Sequence, residues 1–532
     1  MKDIKELIFE ELTIEQKLGL VNCHLLSMWL DDDDERINFI IEEVRRRAAG
    51  AVWIQWSEDK REKCLGYIKR VREAADYPVI IITDAESGIG EFKVGQHNAV
   101  GCTDSEEHAY AFGLSVGVTL KKLGYDMVCN PILDIKRDGW TRSYGSDKYR
   151  IAKLAAAEAR GLHDAGILTM GKHYPSGVDR DAVDTHMAEA ISDQTEAELL
   201  DYSLYAYLEL MKENLLDGLM PGHHRFVNID PTAPASLSRI TLDVIRKQGF
   251  DGVMMTDALC MMGIRANYGR EECLGLAIEA GEDFALVYDD EPIYNRNSMN
   301  ECYEKGIISD KALDEAVRRI LKAQHKAYLN LNPKIIEIDE KNYNLSKRIN
   351  RDSVIEIVDE GIAKSLDRSG KYYFALMVRN ESVTAEKDGV EVDTFSNGWH
   401  YPAKIKSKIL ELFPNSHVEQ FYQFPTQGQN GRILSRSLGY DETIFITFSE
   451  CLAYTGPEHL TRRVEALISA MQATNRISTL IHYGNVKVLE NLPHIPRVIL
   501  GGVSTESTLA CIETLAGENE AKGSLTYELN LK

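Results

Sequence analysis

A carboxylate at the end of a buried strand is the first residue of this sequence that could do chemistry. The run Gly252-Val-Met-Met-Thr ends in Asp257, and small and apolar residues follow it. In an α/β barrel such a strand presents its last side chain at the open mouth, where an ionised aspartate can act as a nucleophile or a proton-transfer group. An aspartate after a strand is also a common helix N-cap. The local pattern leaves both interpretations open.

A second candidate lies in the long polar loop from Lys172 to His186. Asp184 and His186 are two residues apart, so in an extended segment both side chains project to the same side. A carboxylate beside an imidazole orients the ring, selects its tautomer and favours its protonated form, which suits a proton donor near neutral pH. The alternatives are an incidental pair in a solvated loop, or a metal site with His173 as a further ligand, although no helical HxxxH spacing supports metal binding.

The elements that must position these residues alternate between strand and helix over the first two-thirds of the chain. The predicted strands are short and continuously apolar, with the spacing of roughly 30–50 residues that is typical of βα units in a parallel sheet. They cover residues 50–56, 78–84, 127–134, 166–173, 217–223, 252–257 and 283–288. Seven clear units and one weak unit predict an α/β fold with a (β/α)8-type, TIM-like barrel over residues 1–330.

Polar side chains gather at the carboxyl ends of five of these predicted strands. They are Asp84, Asp134, Lys172, His173, His223 and Asp257. Because the carboxyl ends of barrel strands meet at one mouth, we expect these side chains to converge there. A single polar residue at a strand end is usually a cap or a turn, but six are not explained by capping alone. The pattern therefore predicts an active site at the mouth.

These residues and their surroundings resemble glycoside hydrolase family 3, and within it the β-N-acetylglucosaminidase branch. The order and spacing of the matching segments make the resemblance specific, and it extends over nearly all of the chain. The segments are Asp84-Ala-Glu-Ser-Gly, Asn130-Pro-Ile-Leu-Asp134, Arg142-Ser-Tyr-Gly145, Lys172-His-Tyr-Pro, Asp184-Thr-His186, Pro234-Ala-Ser-Leu-Ser238 and Gly249-Phe-Asp-Gly-Val253.

The resemblance implies a retaining exo-β-glycosidase acting on terminal β-N-acetylhexosaminides, without a cofactor or metal. It implies that Asp257 is the nucleophile, that His186 is the acid/base and that Asp184 is the partner of His186. The residues that it implies bind hydroxyls of the terminal sugar are Asp84, Arg142, Lys172 and His173. His223, at the end of its own strand, is predicted to reach the substrate as well.

Several positions depart from the family pattern. Ser176-Gly-Val178 replaces the second histidine of a GHG motif, Ile89 stands in place of an arginine, and the loop is one residue longer. These changes bear on the sugar that is bound more than on the reaction. A β-glucosidase-type specificity, phosphorolysis on the same site and a catalytically silent sugar-binding protein stay open as alternatives. Trp140, close to Arg142, is a candidate for stacking on a sugar face.

The composition of the 532-residue chain excludes several classes of partner. A formal net charge of −22 argues against nucleic acid and anionic membranes, because both bind basic surfaces. The nine cysteines are scattered and form no CxxC pair, so neither a zinc site nor a disulfide framework is indicated. No apolar run approaches ~18 residues and the N-terminus has no signal-like region. We predict a reduced, cytoplasmic protein with a small-molecule or oligosaccharide substrate; a homodimer is left open.

Residues 351–532 form a second predicted unit, after a linker over residues 331–350. Apolar strands at 372–378, 418–422, 443–448, 478–483 and 497–500 alternate with helices at 402–413, 456–473 and 505–516. This pattern predicts a smaller, doubly wound α/β sandwich domain. The glycine-rich segment 427–431 is predicted to be a loop without a nucleotide-binding role. Whether this domain supports the barrel, covers the cleft or dimerises is left open by the sequence.

Overall fold

The computed structural model describes residues 4–136, 139, 141–176, 183–330, 333–363, 365–378, 384–387, 390–393, 402–449, 451, 452, 456, 457 and 459–531. The internal contacts divide the chain into two compact units. The first comprises Met1–Lys93, Glu106–Ile135 and Lys148–Tyr343, and the second comprises Val94–Ser105, Lys136–Asp147 and Asn344–Lys532. Two short segments within the predicted barrel sequence therefore belong to the second unit, a feature that nothing in their composition signals.

An eight-stranded sheet of parallel strands forms the centre of the first unit. In chain order the strands of this unit are β1 (Asn22–Leu25), β2 (Ala51–Trp53), β3 (Ile80–Thr83), β4 (Met127–Val128), β5 (Leu168–Tyr174), β6 (Ala190–Ser192), β7 (Gly218–Pro221), β8 (His224–Phe226), β9 (Val253–Met254) and β10 (Ala285–Leu286). The order in the sheet is β10-β1-β2-β3-β4-β5-β7-β9. A parallel bridge between Met255 and Phe284 joins the last strand back to β10. The predicted TIM-like barrel is confirmed.

Helices follow the barrel strands. Those of the first unit are Ile14–Leu20, Glu35–Arg45, Arg61–Ala74, Glu106–Leu123, Lys148–Asp164, Glu196–Glu198, Tyr205–Lys212, Arg239–Lys247, Met262–Arg265, Arg270–Ala280, Pro292–Glu304 and Asp310–Leu329. The helices Glu106–Leu123 and Lys148–Asp164 pack closely because Gly113 has no side chain at their contact. A Cβ there would lie 2.1 Å from the carbonyl oxygen of Glu158. Within the described part of the chain, no helix combines the length and hydropathy needed to cross a membrane.

The barrel strand that is missing from the seven predicted strands is β1. Its Asn22 and His24 are buried polar residues, which obscure the apolar run that marks the other strands. The Asn22 side chain donates to the carbonyl oxygen of Leu18 at 3.1 Å, and the His24 ring packs edge-on against Phe39. The Asn22 amide is thus satisfied locally, whereas Nε2 of His24 has no hydrogen-bond partner among the described residues.

Glu282, just before β10, is a buried acid that the barrel does not pair. Its residue is fully buried, and neither carboxyl oxygen has a hydrogen-bond partner among the described residues. Burial, reinforced by the neighbouring Asp283, raises the pKa of Glu282 well above its ordinary value, although Arg246 and Arg319 oppose this. The folded protein therefore holds a proton that the unfolded chain releases above about pH 4.3.

Glu282→Gln is expected to stabilise the protein at neutral pH. As the pH rises above about 4.3, the Glu282 carboxyl ionises in the unfolded chain but stays protonated in the folded protein. The wild type therefore loses stability with rising pH, whereas the glutamine variant has no such group to titrate. We expect the free energy of unfolding to rise by roughly 1–3 kcal/mol at pH 7 and to change little near pH 4. Urea denaturation at both pH values measures it, with the exposed Glu304→Gln as control. A pH-independent difference would contradict the argument.

A six-stranded sheet organises the second unit. Its strands are β11 (Ile355–Val358), β12 (Tyr372–Val378), β15 (His417–Tyr422), β16 (Glu442–Ser449), β19 (Ile477–Gly484) and β20 (Arg497–Gly501), while the remaining strands, β13 (Thr384–Lys387) with β14 (Val390–Asp393) and β17 (Cys451–Leu452) with β18 (Gly456–Pro457), form two separate antiparallel pairs. The order is β11-β20-β19-β16-β12-β15, with only β11 antiparallel to its neighbour within this sheet. The order of the parallel strands is that of a doubly wound sheet, so this prediction is confirmed.

The helices of the second unit correct two details of the sequence interpretation. They are Asn98–Thr103, Leu345–Asp352, Pro402–Leu412, Gln427–Arg436, Arg462–Ala473 and Thr505–Leu515. The predicted loop at 427–431 is wrong, because Thr426 and Gln429 form a capping box that starts a helix despite its glycines. The predicted linker at 331–350 ends in the Leu345–Asp352 helix, whose Leu345 and Ile349 are fully buried.

Candidate active site

The barrel mouth brings together most of the polar residues expected there. Asp257 follows β9, and its backbone N–H donates to the carbonyl oxygen of Pro221 at the end of β7, at 2.9 Å. One carboxylate oxygen of Asp257 accepts the N–H of Ala258 at 2.8 Å. The Asp257 side chain retains 15% exposure. A carboxylate fixed on a rigid strand end with a partly open face is arranged to react with a bound molecule.

His173 stands between two aspartates. Its Nδ1 lies 2.8 Å from Oδ2 of Asp134, and its Nε2 lies 3.8 Å from Oδ2 of Asp257. The backbone N–H of His173 also donates to Asp134 at 3.2 Å. Asp134 therefore fixes the ring so that Nδ1 carries a proton and Nε2 faces Asp257.

Lys172 is held between two carboxylates at the same mouth. Its Nζ lies 2.6 Å from Asp84 and 2.6 Å from Glu86, and its side chain is 2% exposed, against 32% for Asp84. The ammonium group neutralises the pair and leaves the Asp84 oxygens partly open to a ligand. Sequence reasoning missed Glu86 as a site residue. Its spacing of two from Asp84 was the available signal.

Asp184 and His186 form the expected pair within one tight turn. His186 Nδ1 lies 2.7 Å from Oδ1 of Asp184, and the backbone N–H of His186 donates to the same oxygen at 3.0 Å. The N–H groups of Met187 and Ala188 both donate to the carbonyl oxygen of Asp184. With Nδ1 committed to the carboxylate, Nε2 of His186 is the nitrogen that can exchange a proton with a ligand.

His223 lies beneath the mouth instead of lining it. The residue is fully buried, its Nδ1 lies 2.8 Å from the Ser236 hydroxyl, and its Nε2 lies 3.0 Å from the carbonyl oxygen of Ala258. Because a carbonyl only accepts, Nε2 is the donor and the serine hydroxyl donates to Nδ1 of the neutral ring. Burial lowers the pKa of His223, although Asp257 opposes this. His223 thus supports the backbone next to Asp257.

The charge environment keeps Asp257 ionised. Burial alone would raise the pKa of Asp257, but the neighbouring histidines, His173 foremost, together with the Ala258 N–H, outweigh it and hold that pKa below the ordinary value. An aspartate with a lowered pKa remains an anion throughout the neutral range. The mouth therefore presents an anion, Asp257, within the electrostatic influence of the His186 imidazole, whose orientation Asp184 fixes.

The remaining expected residues are placed differently. Arg142 lies in the Lys136–Asp147 segment of the second unit, so its role at the mouth stays a prediction. Trp140 and the 177–182 part of the loop lie outside the described residues. Ser176 is buried, and its hydroxyl accepts the N–H of Ile135 at 2.7 Å. Ile89 is 2% exposed and packs in the interior.

Two other possibilities for a site are less favourable. Among the described residues, no group of three or more histidine, cysteine, aspartate or glutamate side chains is arranged to hold a metal ion. A cavity of about 460 Å³ lies at the amino ends of the strands, beside Asp217 and Gly252. The cations that line it are each paired with an aspartate: Arg319 with Asp283, Lys322 with Asp251 and Lys326 with Asp217. Asp217 is also a buried aspartate next to a histidine, but its carboxylate oxygens are bonded to His163 and Lys326.

Known proteins resemble this chain in sequence and in fold. Two beta-hexosaminidases are similar to this chain: that of Tolumonas auensis is 30% identical over 43% of this chain and 71% of its own, and that of Haemophilus influenzae is 28% identical over 45% and 72%. A glycoside hydrolase family 3 beta-N-acetylglucosaminidase from Paenibacillus sp. str. FPU-7 shares the fold, with a TM-score of 0.79, 22% identity and coverage of 98% of this chain and 100% of that one.

A beta-glucoside phosphorylase shares the fold to the same degree, with a TM-score of 0.80, 22% identity and coverage of 98% and 95% of the two chains. The family model of the Glycosyl hydrolase family 3 N terminal domain matches residues 37–323, which is more than half of the chain and includes every residue of the mouth. The resemblance seen in the sequence is therefore confirmed, and the chain belongs to glycosyl hydrolase family 3.

Proposed function

We propose that this protein is a retaining exo-β-glycosidase that hydrolyses terminal β-linked N-acetylhexosamines. One observation carries the proposal: His186, paired with Asp184 at 2.7 Å, is close enough to Asp257 to help lower the pKa of that carboxyl, so an acid/base and an anionic nucleophile share one mouth. These are the two groups that a double displacement at an anomeric carbon requires.

The first displacement forms a glycosyl-enzyme on Asp257. A carboxylate oxygen of Asp257 attacks the anomeric carbon, and the bond from that carbon to the leaving oxygen breaks. His186 enters this step as the imidazolium and gives its Nε2 proton to the leaving oxygen, while Asp184 stabilises the charge on the ring.

The second displacement uses the same groups in reverse. The neutral His186 accepts a proton at Nε2 from an incoming water, whose oxygen bonds to the anomeric carbon as the bond to Asp257 breaks. Two inversions at one carbon give overall retention of configuration. Nδ1 of His186 stays bonded to Asp184 throughout, which keeps Nε2 as the reacting atom in both steps.

The sugar is held by the charged residues on the neighbouring strands. Asp84 accepts hydrogen bonds from hydroxyl groups, while Lys172 neutralises both Asp84 and Glu86 and so permits two carboxylates in one small site. Nε2 of His173 faces the Asp257 carboxylate at 3.8 Å. The N-acetylhexosamine class is supported by the beta-hexosaminidases that resemble this chain over the barrel.

Phosphorolysis on the same site is the second candidate, and the imidazole acid/base favours it. An acid/base that is neutral after the first step does not repel an approaching phosphate, whereas a carboxylate does. The similarity in fold to a beta-glucoside phosphorylase is compatible with this chemistry.

A panel of nitrophenyl β-glycosides, measured with and without inorganic phosphate, tests the proposal. We expect the N-acetylglucosaminide to be cleaved fastest, with the β-anomer of the free sugar as first product by NMR and no effect of phosphate. A phosphate-dependent rate with a sugar 1-phosphate product would establish the second candidate instead. Cleavage of the glucoside alone would replace the sugar class, and no cleavage of any glycoside would leave a sugar-binding protein.

Lys172→Ala is expected to weaken transition-state binding. The change removes the cation from between Asp84 and Glu86. The lower kcat/KM should correspond to a loss of roughly 2–4 kcal/mol of transition-state stabilisation. Lys326→Ala at the amino ends of the strands is the matched control and should leave kcat/KM unchanged. Arg142→Ala tests the arginine carried over from the family in the same assay. Wild-type values for both Lys172→Ala and Arg142→Ala would mean that the sugar lies elsewhere.

A further inference from the structure

The turn that carries His186 is attached to the chain segment that follows Asp257. The short helix Met262–Arg265 begins five residues after Asp257, and Met261, its N-cap residue, provides no side-chain cap. Its first N–H groups are used on the turn instead. Met262 donates to the carbonyl oxygen of His186 at 3.2 Å, and Gly263 donates to that of Thr185 at 2.9 Å. The acid/base turn thus supplies the acceptors that a helix N-terminus needs.

Gly263 makes this attachment possible. A Cβ at Gly263 would lie 2.7 Å from the carbonyl oxygen of Thr185 and 3.1 Å from that of Ala188. Both atoms belong to the backbone, so no side-chain rotation relieves the contact. Any other residue at this position must push the turn away from the helix, and His186 would move with it.

The other end of the segment is fixed to the barrel wall. The Ala258 carbonyl accepts from Nε2 of His223 at 3.0 Å, and the Leu259 N–H donates to Leu286 at 2.9 Å. Leu259 and Ile264 are fully buried. The segment between the nucleophile and the helix therefore has little freedom to follow a displaced turn.

We infer that Gly263 and the Met262 N–H are positioning groups for His186, so that the segment following the nucleophile sets the location of the acid/base. The inference rests on the roles proposed for Asp257 and His186. It adds that the short segment from Asp257 to Gly263 sets the position of His186 relative to Asp257.

Two variants disturb the attachment by different means. Gly263→Ala introduces the close contacts, and Met262→Pro removes one N–H donor. Proline suits the first position of a helix, and Met261 before it has the extended backbone (φ −66°, ψ 145°) that a following proline requires. Met262→Ala keeps the N–H and controls for the side chain. Gly269→Ala, at the N-cap of the next helix, where the nearest atom to a Cβ is 3.8 Å away, controls for glycine replacement nearby.

The first readout is kcat/KM on a series of β-glycosides with leaving groups of increasing pKa. For Gly263→Ala we expect a loss of about 10²-fold on unactivated leaving groups and little loss on dinitrophenyl substrates, because only the former need a placed proton donor. For Met262→Pro the expected loss is roughly 2–10-fold with the same dependence. Both controls should match the wild type. An equal loss on all substrates, or none in either variant, would overturn the inference.

Amide hydrogen exchange of the peptide covering residues 183–188 provides a readout that does not depend on activity. Exchange there should accelerate in Gly263→Ala and Met262→Pro but not in Met262→Ala or Gly269→Ala. Unchanged exchange would overturn the attachment itself. If the wild type cleaved no glycoside while exchange accelerated as expected, the proposed function would fail and the attachment of the turn would stand.

Discussion

Asp257→Asn is expected to abolish turnover, with a loss on the order of 10⁴-fold, while leaving the fold intact. The amide has nearly the shape of the carboxylate and can still accept the N–H of Ala258 through its oxygen, so the strand end keeps its geometry. It has no anionic oxygen to attack the anomeric carbon. Steady-state rates on an activated aryl glycoside measure the loss, and a thermal melt measures the fold.

Asp251→Asn is the matched control for this experiment. Asp251 stands before β9, at the other end of the same strand, where it is exposed and pairs with Lys322. Its replacement should leave the rate unchanged.

Because the pKa of Asp257 is lowered, the wild type should keep the Asp257 carboxylate ionised down to pH values below the ordinary aspartate range. Substantial turnover by Asp257→Asn would remove Asp257 from the role of nucleophile.

His186→Ala is expected to discriminate sharply between leaving groups. A poor leaving group needs the proton from Nε2, so its cleavage should slow by roughly 10²–10⁴-fold, whereas a dinitrophenolate departs almost unaided. Added azide should accelerate the second displacement, because the azide anion needs no general base, and should give a β-glycosyl azide. Asp184→Ala should act as a milder copy, since the imidazole remains but loses the partner that orients it.

His325→Ala controls for the loss of a paired histidine. His325 also contacts a carboxylate, Glu6 at 2.8 Å, but lies on the helix Asp310–Leu329, outside the mouth. It should show no dependence on the leaving group. The same fractional loss on every substrate in His186→Ala would place the proton donor on another residue, and glutamates of the second unit would be tested next.

The barrel and the convergence at its mouth could be predicted because parallel strands place their last residues at one end. That rule located Asp257, His173 and Lys172 from apolar runs alone. It did not distinguish a side chain that lines the mouth from one beneath it. His223 ends its strand as the others do, yet its ring is buried and hydrogen-bonded to the hydroxyl of Ser236, thirteen positions later in the chain.

Other features were hidden because they depend on contacts between distant parts of the chain. Gly263 has no local pattern that reveals its role, since the atoms that exclude a side chain are those of Thr185 and Ala188. The helix Gln427–Arg436 was missed for the opposite reason, because two glycines outweighed a capping box that the sequence did contain. Propensity is a weak guide where a cap satisfies the first turn.

Because two segments of the barrel sequence belong to the second unit, genetic recombination cannot easily exchange one unit for another. The chain passes between the units five times, at residues 93/94, 105/106, 135/136, 147/148 and 343/344. Val100 and Tyr144, which lie in those two segments, are fully buried. A genetic exchange that replaced everything after residue 343 would bring in most of a foreign second unit. The segments Val94–Ser105 and Lys136–Asp147 of that unit would still come from the original protein. Recombination at a single breakpoint therefore does not transfer the second unit as a whole.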